Sequence, residues 1–511
     1  MYLVKNLLIP LAPEYDLRSA VARKFKLDQS SIQGIEILRK ALDARKKNNL
    51  KYNFTLLIEE MPFSKHPDLI SYQKPQPYIT EQLKLNDINP FIIGAGPAGL
   101  FAALALVEKG LKPVIFDRGD ILEKRTAKVN DFWKKGLLDE NSNVQFGEGG
   151  AGTFSDGKLT SRNRDYYSQK IFELLIKFGA DEAIKYEALP HLGTDKLKII
   201  IKNIRNYLIS KGSIFNWNHK LENIVVEGGK ITAVKINETS FRPEILILAV
   251  GNAARDTFEL LNQIKAVKAK PFAVGVRIEH PQQFINDSLY GKNTDLSLTG
   301  AATYRLTSKI KDKGVYSFCM CPGGFVIGTC TEKDHLVVNG MSYNKRSNNF
   351  ANSAIVVSVN ETDFGKNALA GIEFQRKIEQ NSFNPDFPYF APIQSAKDFC
   401  NGIRSLPTLT TSYRPGVNSI DINKLFPGQI SAYLKSGLNH FNHKIPGFIQ
   451  NGILVAPETR TSSPVRIVRD NSKFHSIAAD NLYPIGEGSG YAGGIISSAA
   501  DGFKTSQIFR Y

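Results

Sequence analysis

The chain has 511 residues, 42% hydrophobic and 22% charged, with 40 glycines and 24 prolines; at roughly 100–200 residues per domain this suits a globular protein of several domains and excludes collagen-like or wholly disordered chains. Lys and Arg number 65 against 49 Asp and Glu, a net charge of +16, but they are scattered rather than gathered into a basic tail, so they read as a solvated surface, with an anionic partner such as RNA as the alternative. Four cysteines are too few for a disulfide scaffold, and neither a signal peptide nor an apolar run long enough to span a membrane is visible, so the expectation is a soluble cytoplasmic protein.

Residues 1–84 are expected to form a small α+β domain: an apolar opening over 2–11, a helix over 17–25, a second, lysine-bearing helix over 32–47 and an alternating strand over 52–58. Pro67, Pro75 and Pro77 mark 64–77 as a linker, because proline disfavours helix and removes ladder donors. From residue 90 the pattern becomes a buried strand (91–93), a glycine turn, an Ala- and Leu-rich helix ending at Glu108 and a second strand from Pro113, which together make a βαβ unit. Further strands are expected at 199–201, 224–226, 231–236 and 245–250. Residues 85–256 are thus the first part of an α/β domain, and 257–470 an inserted α+β domain with strands at 272–278, 315–321 and 354–359 and a helix at 371–379. Residues 471–511 return to strand, glycine turn and helix and complete the domain begun at 85.

The strongest chemical signal is Gly94-Ala95-Gly96-Pro97-Ala98-Gly99, which follows an apolar strand, opens a helix and precedes Asp117 and Arg118 at the end of the next strand. Gly94 makes the tight turn, Gly96 lets backbone approach a pyrophosphate, and Gly99 allows close helix-to-strand packing. The helix N-terminus offers unpaired N–H groups and positive partial charge to phosphates, and Asp117 lies where a ribose-binding acid belongs. This is a dinucleotide-binding fingerprint in its full context. Three further segments favour FAD over a nicotinamide coenzyme. Gly486 and Glu487, followed by Gly493, Gly494 and the small-residue helix from Ile495, resemble the second flavin-contacting segment of glutathione-reductase-type flavoproteins, with Glu487 where that pattern has aspartate. Residues 245–251 resemble the strand ending in A-T-G that closes the FAD domain of such proteins, Val250 replacing the threonine before Gly251. The dense loop Gly147-Glu148-Gly149-Gly150-Ala151-Gly152 also matches G-x-G-x-x-G, but no strand precedes it; Gly149, Gly150 and Gly152 are read as bare backbone facing the flavin.

With these segments, and with Phe318-Cys319-Met320-Cys321-Pro322-Gly323-Gly324, Asn339-Gly340-Met341-Ser342, Ala351-Asn352-Ser353-Ala354, Gly371-Ile372-Glu373-Phe374-Gln375 and the run from Glu458 to Arg466, the whole chain resembles the uncharacterised FAD-dependent dehydrogenase family. That family is itself similar to flavoproteins whose Rossmann FAD domain is interrupted by inserted segments. The resemblance implies a Rossmann-type FAD-binding domain, a substrate domain capping the flavin ring, and two-electron hydride transfer through flavin N5 on a small molecule it does not identify. NAD(P)H, if used, would bind transiently over the flavin.

Lys158, just after the glycine loop, and Arg460 are the candidate catalytic groups: an ammonium near the flavin favours its reduced anion, and Arg460 with Arg466 could clamp a carboxylate or phosphate. Arg162 and Glu458 are further candidates for substrate contact. Cys319 and Cys321 fall at i and i+2 of an expected strand and so share a face; they read as small buried residues, with a strained redox pair as the alternative. The cysteines and scattered histidines offer no metal-ligand spacing, so no metal is expected. The alternatives to a small-molecule oxidoreductase are a flavin-dependent RNA- or tRNA-modifying enzyme and a protein that binds FAD without catalysis.

Overall fold

A five-stranded parallel sheet, in the order Leu482–Pro484, Leu246–Leu248, Phe91–Ile93, Val114–Asp117, Ile214–Trp217, joins three separated stretches of the chain. It is seen in a computed structural model that describes residues 1–62, 65–73, 83–84, 88–160, 165–403 and 409–510. Both faces of this sheet are covered, which is why its strands are short continuous apolar runs. One face carries the helices Pro97–Glu108, Tyr166–Lys177, Gly193–Ser210 and Ile495–Ser506. The other carries the helix Arg255–Gln263 and a three-stranded meander, Leu221–Glu227, Lys230–Ile236 and Thr239–Phe241.

The helix Pro97–Glu108 is apolar all round and buried from Ala98 to Leu106, as a helix sandwiched between layers must be. It starts where Pro97, lacking an N–H, occupies a position whose donor would go unused. The C-terminal helix crosses it at backbone distance: a Cβ on Gly502 would lie 2.1 Å from the Ala98 carbonyl oxygen. The expected strand at 199–201 is instead the middle of the helix Gly193–Ser210. Its buried Leu197, Ile200, Ile201, Ile204 and Leu208 follow helical spacing, while Ile199 points to solvent at 54% exposure. The run of three isoleucines imitated a strand because only its neighbours reveal the period.

The inserted region builds a seven-stranded sheet, ordered Thr307–Ile310, Lys313–Cys321, Phe350–Val359, Phe272–Pro281, Ile453–Glu458, Ala391–Ser395, Val417–Ser419. The helix Gly428–Lys444 lies on it, with Leu434, Leu438 and Phe441 packed among Val274, Val276 and Ile355. Two antiparallel strands, Val267–Ala269 and Val465–Ile467, form the double connection between this sheet and the parallel one.

At the N-terminus, the strands Gln33–Asp43, Lys51–Glu60, Tyr2–Pro10 and Leu69–Ser71 form one antiparallel sheet covered by the helix Leu17–Phe25. The second helix expected over 32–47 is therefore a strand. A bulge between Ile37 and Arg39 shifts its register against Lys51–Glu60, and the resulting break in alternation gives its apolar residues a helix-like spacing. The expected linker contains the edge strand Leu69–Ser71; its residues 63–64 and 74–77 lie outside the described residues. This sheet is tied to the rest by Lys40 N–H bonding the Tyr186 carbonyl at 2.6 Å and Tyr52 Oη bonding the Leu298 carbonyl at 2.7 Å. Among the described residues no helix is long and apolar enough to cross a membrane.

Replacing Gly502 with Ala should push the two crossing helices apart and cost about 1–3 kcal/mol, the usual penalty of overpacking. Urea unfolding of the variant beside the parent measures it; an unchanged midpoint would refute the contact.

Candidate active site

At the carboxyl ends of the parallel strands the structure gathers the four glycine segments that the sequence singled out. The turn after Phe91–Ile93 is closed by Asp117, which accepts the Ala95 N–H at 2.7 Å and the Gly119 N–H at 2.9 Å. Burial pushes this carboxyl up, against the two amides and the nearby Arg125 and Arg118, which favour its charge. Each oxygen has one bond, so lone pairs remain for a further donor. The loop 147–152 packs directly on this turn: Gly149 N–H bonds the Ala95 carbonyl at 2.8 Å, and a Cβ on Gly152 would sit 3.1 Å from Ile495 Cγ1. From the other side, a Cβ on Gly486 would meet Ala98 at 2.6 Å, and one on Gly488 would meet the Gly251 carbonyl oxygen at 2.3 Å.

Glu487 links two of these segments, accepting Asn252 Nδ2 at 2.7 Å and the Gly494 N–H, at the head of the C-terminal helix, at 3.3 Å. Burial is the main cause that raises its pKa. Around it a Cβ on Gly251, Gly493 or Gly494 would meet nothing within 4 Å, so a space opens there. Gly96 is equally informative. Its φ of −79° suits any residue and a Cβ would make only ordinary contact, 3.6 Å from Gly150 Cα. Among the described residues nothing requires glycine at 96; a ligand lying against the backbone would. These residues fit a dinucleotide whose diphosphate would lie against the bare backbone at Gly96 and the unpaired amides at the start of the helix from Pro97.

The sequence missed the residue that shapes the glycine loop. Arg125, fully buried, donates to the carbonyls of Asn143 (2.8 Å), Val144 (2.9 Å), Gly147 (3.3 Å), Glu148 (2.5 Å) and Gly150 (3.0 Å). Burial lowers its pKa to about 10. It stands among lysines in the amphipathic helix Leu122–Lys135, where nothing in the sequence separates it from surface charge.

Other expected site residues are already engaged. Arg118 forms a two-pronged pair with Asp256 at 2.8 and 3.0 Å and lies over the Phe146 ring at 4.3 Å. Arg460 is not a free clamp: it grips Glu379 through Nε (3.2 Å) and Nη2 (3.0 Å) and reaches Thr331 Oγ1 at 2.7 Å. Arg255 holds the same fully buried carboxylate from the other side at 2.8 and 3.0 Å. Glu458 is bound by Arg277 at 2.5 and 2.9 Å, and the remaining Arg277 donors go to Asn352, Asn339 and the Cys319 carbonyl. Arg162 lies outside the described residues.

Lys158 donates to the Met320 carbonyl and stands 3.7 Å from the buried Asp156, which is also gripped by Arg346 and Ser342. The lysine is thereby placed against the Cys319–Cys321 segment. These cysteines do not share a face: a bulge between Phe318 and Cys321 leaves Cys319 exposed with φ +44° and Cys321 buried, both as free thiols.

Comparison with known proteins places this geometry in context. Residues 271–461 match the family described as FAD-dependent protein, C-terminal domain-like, and residues 4–59 match a domain of unknown function. An uncharacterized protein of Clostridium beijerinckii is 43% identical over 510 residues, covering 96% of this chain and 95% of that protein. Among solved structures, a mutant of the halogenase PltM in complex with FAD is similar with a TM-score of 0.36 at 11% identity, covering 82% of this chain and 67% of that one. A variant of the E. coli quinol fumarate reductase FrdA gives 0.35 at 10% identity, covering 84% and 70%.

Two tests follow from the buried arginines. Arg125→Met strips the donor from five carbonyls and should open residues 143–150 to rapid hydrogen exchange; protection equal to the parent's would refute the staple. Glu379→Gln leaves buried Arg460 without its carboxylate and Arg255 with Glu332 alone, and should cost about 3–5 kcal/mol at neutral pH. The Arg376 and Arg255 guanidiniums, working against burial, hold Glu332 down at about 2, and Arg255 and Arg460 depress Glu379 further. Depressed carboxylates stabilise the fold fully above their unfolded pKa, near about 4.3, and lose that contribution as pH falls through the folded values. The Gln variant should therefore show a shallower loss of stability between about pH 4 and 2, read from unfolding midpoints across that range.

Proposed function

The chain belongs to one family with the Clostridium beijerinckii protein and carries the FAD-dependent protein C-terminal domain over residues 271–461, and on that premise we propose that it is an FAD-dependent oxidoreductase exchanging two electrons with a small molecule. FAD is its cofactor, and when bound it supplies the redox chemistry that side chains lack. One observation carries the reading: glycine segments at 94–99, 149–152, 251 and 486–494, scattered over the chain, converge at one sheet end where Gly96, Gly251, Gly493 and Gly494 leave room beside bare backbone.

The chain's own groups then divide the work. The amides of the 94–99 turn and the helix from Pro97 bind diphosphate, with Asp117 holding the turn closed. Glu487, fixed by Asn252 and the Gly494 amide, offers its remaining lone pairs to hydroxyls of the sugar chain. The head of the C-terminal helix carries positive partial charge that would stabilise negative charge on a flavin bound beside it. Lys158 keeps its ammonium beside the inserted sheet because Asp156 and the Met320 carbonyl restrain it, and a cation so placed stabilises negative charge gained on reduction. The inserted sheet caps the cleft and supplies the walls that select a substrate.

Gly96→Ala tests the cofactor site cleanly, because the new methyl group is tolerated by the fold but occupies the approach of the diphosphate. FAD affinity, followed by quenching of its fluorescence, should fall about tenfold or more, which corresponds to roughly 1.4 kcal/mol, while the melting temperature of the FAD-free protein stays unchanged. Unaltered affinity would refute the placement. In the parent, bound FAD should bleach anaerobically with NADH, NADPH or a reducing substrate and recover with an acceptor; a flavin that no donor bleaches would defeat the oxidoreductase reading.

A further inference from the structure

Among the described residues six arginines are buried, Arg125, Arg205, Arg255, Arg277, Arg460 and Arg469, and each is met by carboxylates or by a cage of carbonyls. One part-buried pair breaks that rule. Lys270 and Arg466 sit on the double connection between the two sheets, where Lys268 opposes Arg466 and the Lys270 N–H bonds the Pro464 carbonyl at 2.9 Å. Among the described residues neither cation has a carboxylate within ion-pair distance. Lys270 Nζ finds only Ser462 Oγ at 3.4 Å and the Ser463 carbonyl at 3.3 Å, both long. Arg466 Nη2 reaches the Gly490 carbonyl at 3.2 Å, while its Nε is buried with no acceptor at all.

Leaving a buried donor of a charged group unmatched is costly, and placing a second cation beside it adds repulsion. Burial and then Arg466 depress the Lys270 pKa, with Glu487 opposing them. Glu487 is the nearby negative group, but it is one charge against two cations and lies beyond ion-pair distance of both, its oxygens turned to Asn252 and the Gly494 amide. The local charge is therefore unbalanced in favour of positive. The Arg466 guanidinium lies over the Tyr491 ring at 4.9 Å, which restricts its plane as a two-pronged contact requires.

The position is as telling as the charge. Gly490, which touches Arg466, bonds back to the Glu487 carbonyl at 3.0 Å, and Ser463 Oγ bonds the Gly488 carbonyl at 3.4 Å. The cation pair thus flanks the loop that carries Glu487, next to the open space at Gly251, Gly493 and Gly494. We propose that Lys270 and Arg466 form an anion-recognition subsite of the flavin cleft, taking the carboxylate or phosphate of a small-molecule substrate; this rests on the flavoenzyme reading above. Lys270 supplies a point charge, Arg466 a fork, and Ser462 a hydroxyl at the rim.

The same chemistry could be met by the diphosphate of FAD itself, so the experiment has two arms. Calorimetric titration of the FAD-loaded protein with oxalate and with inorganic phosphate, at fixed ionic strength and against a chloride control, should show saturable binding of at least one. Lys270→Met and Arg466→Gln should each weaken it about tenfold or more, as expected for loss of a charge-assisted contact, and Arg466→Lys, which keeps the charge without the fork, should weaken it less. FAD affinity of the FAD-free variants, measured in parallel, should match the parent's. Absence of saturable binding in the parent, or undiminished binding in both neutral variants, overturns the subsite. Loss of FAD affinity with anion binding intact assigns the cations to the coenzyme and overturns it too. A parent protein that takes up no FAD fails the reading beneath it, and shows this before any anion is added.

Discussion

The site depends on main chain meeting main chain with no side chain between. A Cβ at Gly99 would lie 1.9 Å from the Gly94 carbonyl oxygen, and one at Gly94 would lie 2.4 Å from that of Ala249. Such approaches draw the ends of three parallel strands and the starts of two helices into one small volume. Helix starts carry unpaired amides and partial positive charge, so the place where they converge attracts an anion before any charged side chain is added. Asp117 is the internal answer to the same field: buried, and accepting two amides, it fixes the turn that presents the rest.

Legibility in the sequence followed the range of the forces involved. The βαβ unit was readable because strand, turn, Pro97 and helix are neighbours in the chain and each local preference agrees with the final structure. The strands expected at 224–226 and 231–236 are a similar case; the structure pairs them as a hairpin whose turn is made by Gly228 and Gly229, both at positive φ. Gln33–Asp43 was misread because a bulge, set by the partner strand, erased the alternation on which a strand is recognised. The gathering of the glycine segments around 150, 251, 486 and 494 at one sheet end was readable in outline from their density and their positions after strands. The role of each charged residue was not. Arg460 and Glu379 are 81 positions apart, and only the folded sheet reveals that one neutralises the other.

That distinction matters for reading the net charge of +16. Many of the cations are consumed in holding the protein together. Arg125 replaces a missing regular structure for the glycine loop, and Arg255 and Arg460 share one carboxylate. Arg277 fills all its donors beneath the Cys319 segment, leaving a rigid wall rather than a reactive group. Buried pairs of this kind contribute little net stability over apolar packing, but removing one partner strands the other, so they fix geometry strongly.

The arrangement also assigns different tasks to the two sides of the cleft. The parallel-sheet side is almost all backbone, and backbone recognises what every molecule of the coenzyme shares: phosphate, sugar and ring edge. The inserted side presents side chains held by second contacts, Lys158 by Asp156 and Arg277 by Glu458 and Asn352. Only side chains can distinguish one substrate from another, because only they differ in shape and charge from place to place. On the proposed oxidoreductase reading, selectivity resides in the inserted sheet and in the two-stranded connection, which is covalently part of both sides. A cation pair on that connection can sense an anion while fixed to the frame that fixes the coenzyme, and so needs no moving part to align the two.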